Sequence, residues 1–272
     1  MVNKYLLGDQ TMFETDERMV TIDEFYSNIL NNTREINICL PPSYFKSTDK
    51  FYPVLYMHDG QNIFDGKRAY AGVGWMVHET HDELVKRGLL RELIIVGIDN
   101  IGHDRLSEYA HFNGRYKGER INARGRLYEG FLIEELKPVI DKNFRTLAGP
   151  EDTGLMGSSM GGLVTFNIGF RHPDVFGRLG IISPSFWWST QENIKTVYMN
   201  QDAIENSRMW MDMGTREGSL DKSFDKVVEH ILSLYDSSKG SIEAHWIIGA
   251  AHTETDWQRR VHWPLIHLFG LD

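Results

Sequence analysis

Six short apolar runs recur along the chain, each closing on small or polar residues: "YPVLYMHDG", "LIIVGIDN", "TGLMGS", "LGIISPS", "MWMDMG" and "IEAHWIIGAAH". Runs of this length, bounded by turn residues, read as buried strands. Between them lie segments of helical character. "GWMVHETHDELVKRGLL" carries charge on one face, and "GLVTFNIGFRH" is a further helix. In "YEGFLIEELKPVIDKNF", residues Phe131, Leu132, Leu136, Val139 and Ile140 fall at helical intervals, with Pro138 expected to kink the helix. "TDWQRRVHWPLIHLFG" reads as a last helix interrupted near Pro264, and "INICLPPSY" after the polar "NNTRE" as an early antiparallel hairpin. Apolar strands alternating with helices predict an α/β fold whose mostly parallel central sheet has helices on both faces. No internal repeat divides the 272 residues, and a single domain over 1–272 is expected.

One strand–helix junction carries chemistry. "LMGSSMGGL" contains G-x-S-x-G with Ser159 at its centre; Ser158 does not fit the spacing. Such a motif marks a sharp turn from strand to helix that pushes the central hydroxyl outward. The motif alone is weak, but here it follows a strand and opens a helix, at the carboxyl end of the sheet where open α/β sheets bind ligands.

A serine hydroxyl needs a base to take its proton. In this architecture an acid and then a histidine follow the serine. His252 lies just past the last apolar strand, whereas His245 lies inside that strand and reads as a packed or sheet-surface residue. For the acid, "RMWMDMGTREGSLD" offers Glu217, in the loop after Gly214, ahead of Asp212 within the strand and Asp221 beyond it. A serine–histidine pair with no third group also fits. The developing oxyanion needs two fixed donors. The backbone N–H of Met160, following the serine, supplies one; that of Gln61 in "YMHDGQNIFD" supplies the other, with Gly60 allowing close approach.

Taken together, "VLYMHDGQNIFD", "EELKPVIDKNFRT", "GSSMGGL" with "RHPDVFGRLGIISPSFWW", and "GAAHTETDW" resemble the putative-esterase family, from about Asn37 to Phe269. That family includes enterochelin and bacillibactin esterases, feruloyl and acetyl esterases of carbohydrate esterase family 1, and mycolyltransferases. The resemblance implies an α/β-hydrolase fold and carries the nucleophile to Ser159, the base to His252 and the oxyanion amides to Gln61 and Met160. It carries the acid to Glu217 in "GTREG", where many relatives have Asp. It also brings Arg105 and Tyr109, in an "R..EY" pattern, near the pocket. The extra N-terminal domain usual in enterochelin esterases and the signal peptide and attached modules of secreted plant-wall esterases are not evident. The reaction implied is hydrolysis of a small acyl ester of acyl-sugar, hydroxycinnamoyl or siderophore type. An acyltransferase on the same scaffold and a non-catalytic binding protein are the alternatives.

The remaining features bear on substrate and setting. Trp187 and Trp188, read as strand neighbours pointing opposite ways, place one ring against the acyl or alcohol group. The stretch from His103 to Arg126 sets six cations (Arg105, Arg115, Lys117, Arg120, Arg124, Arg126) against three acids. A cap or rim over about 103–128 is therefore either a solvated loop or a field that draws an anionic substrate. His78 and His81 sit three apart but lack an evident third ligand, so they read as a solvated helix face; no metal or other cofactor is expected. The net charge of −9 argues against nucleic acid as the main partner. Cys39 is the sole cysteine and reads as a packed thiol, which excludes an internal disulfide. No apolar run reaches membrane-spanning length, so no membrane partner and a cytoplasmic location are expected, with the oligomeric state left open.

Overall fold

The computed structural model describes residues 4–7, 10–14, 18–238 and 240–271, with side chains from Arg18 onward except at Ser219 and Asp221. The chain opens with antiparallel strands β1 (Lys4–Leu7), β2 (Gln10–Glu14), β3 (Met19–Ser27) and β4 (Asn32–Cys39). The β3–β4 hairpin is the one expected; β1 and β2 fall where the sequence reading assigned no strand. Then come β5 (Val54–His58), α1 (Val77–Lys86), β6 (Ile94–Ile98) and α2 (Arg105–Glu108). A small hairpin, β7 (Gly114–Tyr116) and β8 (Glu119–Ile121), precedes α3 (Gly125–Gly130) and α4 (Lys137–Asn143). The second half runs β9 (Thr153–Ser158), α5 (Met160–Arg171), β10 (Arg178–Ile182), α6 (Thr190–Met199) and α7 (Asp202–Asn206). It ends with β11 (Arg208–Gly214), α8 (Asp221–Leu234), β12 (Ser241–Ile247), α9 (Glu254–Arg260) and α10 (His262–Phe269).

Ten strands form one sheet in the order β1-β2-β3-β4-β6-β5-β9-β10-β11-β12, parallel from β6 to β12. Strand alternation divides the core between the two faces. Ile94, Val96, Ile98, Val54 and Tyr56 point toward α3 to α8, while Ile95, Leu55 and Met57 point toward α1, α9 and α10. All these side chains are buried, as a sheet covered on both faces requires.

The two prolines act differently. Between α3 and α4 the chain widens into a π-helical turn over Phe131–Leu136, just before Pro138. Proline lacks the N–H for the preceding turn and its ring crowds the carbonyl four residues back, so the expected kink appears as this wider turn. The C-terminal helix breaks at Val261 instead of near Pro264, which sits in the first turn of α10 where no N–H is needed.

Chain order reverses around β5: the next strand lies on one side of it and β9 on the other. The carboxyl ends of β5 and β9 therefore flank a topological switch point, the crevice where such sheets bind ligands.

Candidate active site

β9 ends at the elbow. Ser159 has φ 59° and ψ −122°, a conformation that side chains rarely adopt. Its backbone is pinned on both sides, the N–H donating to Ile182 O at 3.0 Å and the C=O accepting from Ser185 N at 2.9 Å. Gly157 is required here, since a Cβ would lie 2.9 Å from the Gly161 backbone.

The hydroxyl of Ser159 lies 2.9 Å from His252 Nε2, and His252 Nδ1 lies 2.7 Å from Glu217 Oε2. The network assigns the tautomer: Nδ1–H donates to the carboxylate, which leaves Nε2 to accept from the serine. His252 stands in the loop after β12, and Glu217 in the loop after β11. The other carboxylate oxygen, Oε1, accepts from Ser183 Oγ and from Gly214 N, each at 2.7 Å. Burial pushes the Glu217 carboxyl up, but hydrogen bonds from His252 and Ser183 prevail and hold it below the usual range. It is therefore ionised beside the imidazole.

Ser183, at φ 41°, is a hub that the sequence reading missed. Its hydroxyl accepts from Trp257 Nε1 at 3.0 Å and Arg260 Nη2 at 2.7 Å. Asp212 is wholly buried and accepts from Arg260 Nη2 at 2.9 Å and from Trp210 Nε1 at 2.9 Å. Glu217, and not Asp212, is thus the carboxylate hydrogen-bonded to His252, while the Asp221 side chain lies outside the described residues. The Trp257 ring stands edge-on to His252, with centroids 4.9 Å apart.

The carboxyl end of β5 faces this group. Asp59 adopts φ 58° and ψ 49°, and a short 3-10 turn over Gly60–Asn62 follows. Gly60 is obligatory, because a Cβ would sit 2.6 Å from Gly97 C and 2.7 Å from Ile98 N. Gln61 and Met160 both occupy the first turn of a helix, where amides have no intrahelical acceptor. His58, one residue upstream, is fully buried against Tyr128, and burial lowers it to about 3, so it stays neutral.

A cavity of about 750 Å³ opens above these groups. Ser159, His252, Gln61 and Arg105 line it, together with Asn62, Arg68, Tyr70, Asn100, Glu254 and Trp257. Of the six cations between His103 and Arg126, only Arg105 is among the lining residues. Tyr109 does not line it: the ring is fully buried, and its hydroxyl accepts from Asp59 N at 3.2 Å. The tryptophan pair also departs from expectation. Trp187 and Trp188 sit on a short 3-10 turn, Phe186–Trp188, not on a strand, and neither borders the cavity. Trp188 instead packs under Gly114 and donates to Phe112 O at 2.9 Å, anchoring the 103–128 segment. His81 is buried, with Nε2 accepting from Leu93 N at 2.9 Å, which corrects the solvated-face reading. Among the described residues no His, Cys, Asp and Glu group could hold a metal, and no helix is long and apolar enough to cross a membrane. Cys39 is buried.

A family model described as putative esterase matches residues 27–263. The uncharacterized protein YbbA of Bacillus subtilis (strain 168) is 26% identical over 197 residues, covering 71% of this chain and 72% of that protein. An endo-1,4-beta-xylanase/feruloyl esterase of Xylanibacter ruminicola is 26% identical over 238 residues, or 86% of this chain, which spans only 29% of that longer protein. Among solved structures, the BES protein from Bacillus cereus superposes with a TM-score of 0.79 at 20% identity, covering 95% of this chain and 97% of that one.

Proposed function

The chain belongs to the putative esterase family, and on that premise we propose that it hydrolyses small carboxylic esters with Ser159 as nucleophile, His252 as general base and Glu217 as the acid. The observation that carries the reading is the unbroken relay from Ser159 Oγ to His252 to Glu217, at 2.9 and 2.7 Å, opening on the cavity. Ser159 Oγ attacks the ester carbonyl while His252 Nε2 takes its proton. The amides of Gln61 and Met160 receive the oxyanion, and Glu217 stabilises the imidazolium. His252 returns the proton to the leaving alcohol, and water then frees the acyl group by the same steps in reverse.

The cavity has room for a drug-sized ligand. The feruloyl esterase activity in the printed name of the longer relative supports hydroxycinnamoyl esters as the first substrates to test, beside acyl-sugars and siderophore-type lactones. The relay joins the ends of β9, β11 and β12, and the cavity it opens on is lined also by residues after β5, which supports reading the chain as one catalytic domain.

Ser159→Ala should lower hydrolysis of a p-nitrophenyl ester by on the order of 10⁴–10⁶ and abolish fluorophosphonate labelling, with the fold unchanged by circular dichroism. Ser158→Ala should keep most activity. The reverse pattern would overturn the assignment of the nucleophile.

A further inference from the structure

Arg105 lines the cavity, but its charge is already engaged. Its Nε donates to Asp59 Oδ1 at 2.7 Å and its Nη2 to Oδ2 at 2.8 Å, a two-pronged grip. Asn100 Nδ2 donates to the same carboxylate at 2.7 Å. The backbone of Asp59 is held as well, its N–H donating to the buried Tyr109 hydroxyl at 3.2 Å. The neighbouring Gln61 is tied to the same group, its Oε1 accepting from Asn100 N at 3.1 Å. Asp59 is a left-handed non-glycine residue immediately before the Gly60–Gln61 turn. Such a conformation persists only where the surroundings over-determine it.

We infer that Arg105, through its grip on Asp59, is a positioning residue that fixes the direction of the Gln61 amide, and not a receptor for anionic substrates. The inference rests on the reading above, in which that amide receives the oxyanion. Its physical content is that hydrogen bonds to an oxyanion depend steeply on direction, so the amide must be aimed before the charge develops. A side chain on the cavity wall can do this only if its charge is spent on the loop. Asp59 satisfies that condition: burial pushes its carboxyl up, but the Arg105 guanidinium outweighs this and keeps it ionised.

The test compares Arg105→Ala and Arg105→Lys with wild type on a neutral ester and on an anionic ester of matched shape. For Arg105→Ala, kcat should fall about 10–10²-fold by the same factor on both esters, less than the 10²–10³ expected for losing a whole oxyanion donor, with KM within about twofold. Affinity for a boronic acid that mimics the tetrahedral adduct should fall with kcat/KM, while inhibition by the product alcohol should not change. Arg105→Lys, which keeps the charge but not the fork, should recover only part of the loss, and added guanidinium at low millimolar concentration should restore Arg105→Ala. A loss at least tenfold greater on the anionic ester would make Arg105 a substrate receptor and overturn the inference. So would unchanged kcat in Arg105→Ala. If Ser159→Ala is inactive while Arg105→Ala is normal, only this inference fails; if Ser159→Ala stays active, the reading beneath it fails first.

Discussion

β5 and β9 are neighbours in the sheet, run parallel, and end the same way: in a non-glycine residue with φ near 60° followed at once by a helical turn. At β9 that residue is Ser159, and its side chain faces the cavity. At β5 it is Asp59, and its side chain is buried and gripped by Arg105 and Asn100. One strand end turns its side chain to the cavity with its backbone bonded on both sides; the other ties its side chain down and leads straight into the turn that carries Gln61. Each strained residue costs about 1–3 kcal/mol, offset by hydrogen bonds that exist only in that conformation. The lesson is that a strained strand end is a device for aiming, and that what it aims depends on which part of the residue the neighbours hold.

The largest effect expected on the β9 side, after loss of Ser159 itself, lies in the histidine's partner. Glu217→Gln should cut kcat by about 10²–10⁴ with little change in KM, as when other triads lose the acid that stabilises imidazolium. Asp212→Asn should act differently. It removes the nearer of the two carboxylates beside the buried Arg260 guanidinium, leaving Glu217 at 3.7 Å, so denaturation should show a stability loss of about 3 kcal/mol. If Asp212→Asn folds normally and is inactive while Glu217→Gln is active, the acid has been placed wrongly.

On the β5 side, Gly60→Ala breaks the comparison without removing any polar group. The added methyl meets backbone atoms of Gly97 and Ile98, which cannot move aside as a flexible side chain would. The turn must shift, lowering kcat about 10–10²-fold and stability by about 1–3 kcal/mol. Normal steady-state kinetics in this variant would show that the β5 turn aims nothing.

The smallest effect concerns how the 103–128 segment and α3 are fastened to α5. Glu129 accepts from Arg171 Nε at 2.7 Å, and His172 and His111 lie 2.9 and 3.1 Å from its carboxylate. Burial raises Glu129, but hydrogen bonds from His111 and His172 prevail and hold it at about 2, against an ordinary value of 4.5. A carboxyl with a depressed folded value contributes stability above its unfolded value and loses it as pH falls toward the folded one. Glu129→Gln should therefore cost about 1–2 kcal/mol at pH 7, allowing for solvent screening, and the gap to wild type should close between pH 4.5 and 2. Urea midpoints across that range decide it; a constant gap would show that the clamp works by shape alone.

The two strand ends were more legible in the sequence than the cavity walls. Ser159, His252 and Glu217 could be read because glycine spacing and strand order are local signals. Gly60 and Gln61 were legible for the same reason. The cavity walls were not. Arg105 lines the cavity, yet its pairing with Asp59 joins residues 46 apart. Tyr109 went to the buried side of the same network, and Trp188 turned to hold Phe112 because the chain after β10 forms a tight turn and not an extended strand. Arg68 and Tyr70 reach the cavity from a loop with no periodicity to read. Ser183 and Arg260 meet across 77 residues, so their joint support of Glu217 had no local sign. The fold came through the pattern of apolar runs, whereas the N-terminal strands β1 and β2 carry too little alternation to stand out.

The edge-on contact between Trp257 and His252 has an optical consequence that can be measured. A charged imidazolium beside an indole quenches its emission far more than a neutral one does. Trp257 should therefore report the charge of His252, while Trp75, whose ring lies 5.8 Å from that of Trp257, donates instead to Glu254. On the proposed mechanism, a proton arriving on His252 should dim the indole next to it, and stopped-flow fluorescence would time that proton without a label.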